Sequence, residues 1–310
     1  MPMSESNSTE TPSQPAPSSS PTQVPPPGRP PFVGVLIAVF VLSVVYVGYS
    51  FFNPKSMAQW KWAAAVDAME KDDIDQAKLL AEEALAWDPE NAELRLHIAE
   101  MHYRQEETTE ARKQIEEAIA LGKNDPAVIT QAGFLLSRMG QHDGAMLLSK
   151  RLVDIAEKEK TIHLHQALNQ RAYSIAMAAA DEAATPEQIA EGMKDIELAI
   201  EYYGDDASYI DTRGYLKVFA GDLKGAVKDL DAAIKFYEDQ RSELLAKLKP
   251  EEVENMPSGV AFIDNRLKQV LSVLYSHRAL AHEKLGNEKE AKQDHDLAES
   301  YGLDRKRGIW

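Results

Sequence analysis

Eleven residues from Gly192 to Tyr202, GMKDIELAIEY, return 34 positions later as AVKDLDAAIKF from Ala226 to Phe236. A looser copy, AKQDHDLAESY, occupies Ala291 to Tyr301. A period of this length means that the chain is written in like units. A unit that small cannot bury its apolar face alone and must stack on its neighbour, which constrains the fold more tightly than any local propensity. Upstream, Ala77, Ala111 and Ala145 repeat the spacing of 34. From Trp60 onward apolar residues recur at three and four, breaks fall at Gly, Asp or Pro, and no window alternates as a strand does. The units therefore read as helix pairs. Each alanine opens the second helix of a pair, where two helices crossing at short range leave no room for a longer side chain.

These positions resemble the tetratricopeptide repeat, whose pattern runs W-x2-L-G-x2-Y, A-x3-F, a second alanine and a closing proline. The fifth copy carries it most fully in Gly214, Ala226, Leu230 and Ala233. The fourth does so in Ala172, Gly192, Ile196 and Ala199, and the sixth in Ala279, Ala291, His295 and Ala298. The first and second match through Ala65, Ala77, Ala81, Ala84 and Pro89, then Ala99, Ala111, Ile115 and Ala118, and the third through Gly133, Gly140 and Ala145. No copy has the family's tryptophan, and the third carries Ser149 and Leu152 where the pattern wants an aromatic and an alanine. The resemblance covers residues 58–305 and implies an all-α fold, a right-handed superhelix of about six helix-turn-helix repeats with a concave wall of first helices. It further implies that proteins or peptides bind there. Helical spacing then selects Gln166, Asn169 and Tyr173 in the fourth copy and Ser208, Asp211 and Tyr215 in the fifth as groove residues.

Two insertions break the period, AAADEAATPEQ at Ala178–Gln188 and the run from EDQRSELLAKLK through PEEVENMPSG. Such insertions are where an array adds a binding surface. Arg171, Arg213 and Arg278 each precede the small residue of a first helix and are expected to pair with nearby carboxylates. In the second helix of the fifth copy, Ala226, Leu230 and Ala233 should face inward, with Lys228, Asp229 and Asp231 exposed.

Ahead of the repeats, residues 1–31 are rich in Ser, Thr and Pro and should be disordered. Residues 32–52, FVGVLIAVFVLSVVYVGYSFF, hold no charge and reach across a hydrocarbon core of roughly 30 Å. Only Arg29 precedes them and no small-x-small cleavage site follows, so they read as a single-pass transmembrane anchor rather than a signal peptide. Residues 53–57 read as a linker and 306–310 as a C-terminal tail. Lys55 and Lys61 after the span outnumber Arg29 before it and favour a cytoplasmic repeat domain. The short tail and large following domain favour the extracytoplasmic side, which is the expectation taken.

A net charge of −16, with no Lys/Arg run, argues against nucleic acid. Without cysteine there is no disulfide framework, thiol nucleophile or cysteine-bound zinc. The histidine pairs are spaced two or five apart, His163 with His165, His97 with His102 and His277 with His282, not the three or four that chelate on one helix face. No phosphate loop, nucleophile elbow or H-E-x-x-H occurs, and DDIDQA lacks the glycine and glutamate of a calcium loop. No cofactor, metal or catalytic residue is expected, and the chain reads as a membrane-held, non-enzymatic scaffold. An enzyme subunit whose chemistry shows no motif, and a self-associating envelope component, are the alternatives.

Overall fold

The computed structural model describes residues 31–303 apart from 72, 160–161, 250–251 and 253–254. Residues 1–30 of the expected disordered tail 1–31, and the C-terminal tail 306–310, lie outside these. The chain divides after Asn53 into two units. In the first, α1 (Pro31–Phe52) takes in the whole chargeless run. Among the described residues no helix is long and apolar enough to cross a membrane. The expected linker 53–57 runs into helix. Pro54 opens α2, because proline's fixed φ and missing N–H suit a first helical turn.

The second unit holds six helix pairs among the described residues: α2 (Pro54–Glu70) with α3 (Ile74–Trp87), α4 (Ala92–Arg104) with α5 (Thr108–Leu121), and α6 (Pro126–Arg138) with α7 (His142–Glu159). Then follow α8 (Leu164–Ala180) with α9 (Pro186–Tyr203), α10 (Ala207–Ala220) with α11 (Leu223–Leu245), and α12 (Ser258–Leu285) with α13 (Glu288–Ser300). No strand occurs among these residues. The sequence sets the boundaries through capping. Asp73, in the stretch that fails as a calcium loop, accepts from the Gln76 amide and starts α3. Asn91, Asp125, Asp206 and Asp222 do likewise for α4, α6, α10 and α11. Thr185 and Gln188 exchange bonds in a capping box that starts α9 and ends the first insertion. Each such cap is worth about 1 kcal/mol.

The repeated small residues sit where the steric argument puts them. Ala65, Ala77, Ala99, Ala111, Ala145, Ala172, Ala226 and Ala279 are fully buried. Leucines and isoleucines fill the spaces between pairs, among them Leu96, Ile115, Leu152, Ile196, Leu216, Leu230 and Leu271, each contributing about 1.5–3 kcal/mol by leaving water. The third copy departs from the family pattern without a gap: Leu152 is buried, and buried Ser149 donates to the Met146 carbonyl.

One expectation about the second helices fails. Asp229 is buried, as are Asp195 and Asp294 at the same place in their copies. The arginines of the first helices account for it, since each meets this aspartate with two hydrogen bonds: Arg171 to Asp195, Arg213 to Asp229 and Arg278 to Asp294. A planar guanidinium saturating both carboxylate oxygens makes burial of the charge tolerable.

Candidate functional site

The first helices of copies two to six converge on one cavity of about 590 Å³. α4 contributes Glu100 and Arg104, α6 Phe134 and Arg138, and α8 Asn169 and Tyr173. α10 adds Ser208, Asp211 and Thr212, and α12 adds Arg266, Gln269, Val270 and Val273. Within each helix these residues follow a first member by three, four or seven positions, so each helix presents one face. Five helices thus give one continuous wall.

Of the six residues selected from sequence, Asn169, Tyr173, Ser208 and Asp211 line this cavity. Gln166 is exposed and lines neighbouring cavities instead, beside Thr130, Ile162 and His163 or His165. Tyr215 is a correction. It is only 5% exposed, and its ring stacks on His277 of α12 at 3.7 Å, so the sixth copy covers it. The residue that follows the small position in copies two, three and four, Glu100, Phe134 and Tyr173, does face the cavity. That shared register was the signal for Glu100 and Phe134, which sequence reasoning missed. Arg104 and Arg138 lie one turn further along the same faces.

The charges in the wall are mostly spoken for. Glu100 accepts from Arg104 at 2.9 Å and from Arg138 at 3.3 Å. Burial acts to raise its pKa, and the two guanidinium groups outweigh burial and hold it below the ordinary carboxylate value. Asp211 lies 2.8 Å from Nδ1 of His277. Tyr103 donates to the Arg138 carbonyl at 2.7 Å, and the Arg138 guanidinium lies 5.4 Å from the Tyr103 ring centre. Burial pushes the Tyr173 phenol well above its ordinary value, so it is neutral and offers an O–H beside the Phe134 ring.

α12 reaches the cavity through the second insertion. α10 begins seven residues before Gly214 and α2 eleven before Ala65, whereas α12 begins 21 before Ala279, so its first ten residues have no counterpart in the other copies. α11 is correspondingly long and packs against it. Asp264, 1% exposed, pins the two together, accepting from Arg241 and Lys268 at 2.7 Å each. Burial alone would raise its pKa, and the two cations hold it low. With Asp264 turned to α11, residues two positions away on α12 point elsewhere, and Arg266 lines the cavity. Among the described residues no group of three or more His, Cys, Asp or Glu gathers as a metal site.

No curated protein matches the chain. Among solved structures, the fold is similar to PilW, a widely conserved type IV pilus biogenesis factor, at 15% identity over 80% of this chain and 96% of that one, with a TM-score of 0.49. A tetratricopeptide repeat protein from Parabacteroides merdae aligns at 14% identity over 80% and 94%, with a TM-score of 0.46. YrrB, a tetratricopeptide repeat protein with an unusual peptide-binding site, aligns at 19% identity over 60% and 90%, with a TM-score of 0.39. Residues 68–130, from the end of α2 into α6, match the tetratricopeptide repeat family model.

Proposed function

We propose that this chain is a membrane-anchored, non-enzymatic scaffold that holds an extended segment of another protein in the cavity formed by the first helices of copies two to six. The observation that carries this reading is the continuous wall itself. The first helices of five successive copies turn one face each into a single space of about 590 Å³, which mixes rings, amides and charges. An extended chain can lie along the face of one such helix while touching those beside it, which suits recognition of a segment rather than of a compact small molecule.

The anchor is part of the same proposal. Val35, Leu36, Ile37, Val39, Phe40, Val41 and Leu42 are each at least half exposed. So long an apolar surface left to water is unfavourable, and a bilayer relieves it. Confinement to a membrane raises the effective concentration of partners in the same bilayer.

The groove reading is tested by selecting binders to the full chain in detergent micelles from a displayed random peptide library. Binding of the selected peptides is then compared between the native chain, Ser208→Arg and Ala232→Arg. Ser208 is exposed in the cavity wall, and Ala232 is exposed on a second helix. Loss of about tenfold or more in Ser208→Arg alone supports the reading. Equal binding by all three proteins contradicts it.

A further inference from the structure

We infer that the segment held in this cavity carries an acidic side chain and that Arg266 receives it. The inference rests on the peptide-groove reading above and adds the chemistry of its ligand.

Three arginines and two carboxylates line the cavity, in a chain whose net charge is −16. The groove is thus locally positive on an otherwise acidic protein. Arg104 and Arg138 are bound to Glu100, and Asp211 faces His277. Arg266 differs from them. It is exposed, and among the described residues no carboxylate lies within ion-pair distance. It comes from the stretch of α12 that the other copies lack, and the Asp264 pin to Arg241 sets its place. A guanidinium lining the same cavity as Tyr173 and Val270 offers a planar fork of donors to a carboxylate.

The spacing sets what accompanies the acid. Val270 and Val273 follow Arg266 by four and seven residues on the same helix and line the same cavity, hence by rises of about 6 Å and about 10 Å. In an extended chain, residues two apart share a face at about 6.7 Å. An acidic residue over Arg266 therefore places an apolar residue two positions away over Val270. The ligand is an extended segment of the form acid-x-apolar, read in either direction, with the carboxylate on a side chain.

The test repeats the peptide selection on the full chain in micelles, with C-terminally amidated display so that no terminal carboxylate is present. Native protein should enrich Asp or Glu with an apolar residue two positions away. Arg266→Gln should lose the acid preference, and Arg266→Glu should reverse it toward Lys or Arg. A selected peptide resynthesised with Gln for its acid should bind the native chain about tenfold more weakly and Arg266→Gln equally well. Arg266 is exposed, so both variants should keep native far-UV dichroism. Binders without acid enrichment, or the same enrichment in Arg266→Gln, overturn the inference and leave the groove reading standing. Enrichment seen only when terminal carboxylates are free also overturns it. Absence of any binder contradicts the groove reading, and with it this one.

Discussion

Arg213 on α10 donates two hydrogen bonds to Asp229 on α11, at 2.7 and 2.8 Å, and Lys217 adds a third at 2.8 Å. The aspartate is 6% exposed. Two positions on, Asp231 meets Arg278 but is 55% exposed. Removing Asp229 leaves two cations beside a buried face, and removing Asp231 leaves Arg278 still bound to Asp294. Asp229→Ala should cost about 3 kcal/mol, the low end for a buried pair because Arg213 is partly solvated. Asp231→Ala should cost under about 1 kcal/mol. Urea unfolding of the two variants checks the contrast, and equal costs would show that burial of Asp229 contributes nothing.

The same aspartate gives stability a pH dependence. Burial acts to raise the pKa of Asp229, and the hydrogen bonds of Arg213 and Lys217 outweigh it, so the group lies below its ordinary value. A carboxylate depressed in the folded state stabilises fully above its unfolded value of about 3.9 and loses that contribution as pH falls through the folded one. The stability difference between the native chain and Asp229→Asn should be largest near neutrality and shrink below about pH 4. Asp195 has a single arginine, burial prevails, and its pKa is raised. For Asp195→Asn the pH dependence should run the other way, the native chain gaining on the variant as acid protonates Asp195.

Glycines at the small position are not equivalent. A Cβ on Gly214 would lie 2.9 Å from Cγ of Leu230 and 3.2 Å from Cβ of Asp229, whereas on Gly133 its nearest neighbour would be Leu148 at 3.9 Å. Gly133→Ala should stabilise by about 1 kcal/mol through helix propensity. Gly214→Ala should lose that gain to overpacking of about 1–3 kcal/mol and come out neutral or destabilised. Thermal melts of the two variants separate the cases.

Tyr173 and Tyr215 occupy the same register in neighbouring copies and should fail differently. Tyr215→Ala removes a ring stacked on His277 in the core and should destabilise by about 3–5 kcal/mol. Tyr173 faces the cavity, so Tyr173→Leu should weaken peptide binding while moving stability by less than about 1.5 kcal/mol. Parallel denaturation and binding titrations test the split.

The alanines were legible because a steric requirement repeats wherever two helices cross, and the period writes it six times. Buried aspartates were not, because a lone Asp reads as surface. Yet Arg213 precedes Asp229 by 16 residues, Arg278 precedes Asp294 by 16, and Arg171 precedes Asp195 by 24 across the first insertion. The partners were visible separately, and only the geometry of a helix pair joins them. Asn169 and Tyr173 followed from helical spacing, while the covering of Tyr215 depends on a histidine 62 residues away in another copy. Arg266 belongs to an insertion, outside the period that guided the rest.

The central claim, that the cavity of first helices receives an extended segment of another protein, is tested most directly by photo-crosslinking a selected peptide to the full chain. Benzoylphenylalanine would be placed at position 173 in the cavity or at position 232 on a second helix. The account predicts an adduct from position 173, suppressed by unlabelled peptide, and none from 232. Adducts from 232 alone, or equally from both positions, would contradict it.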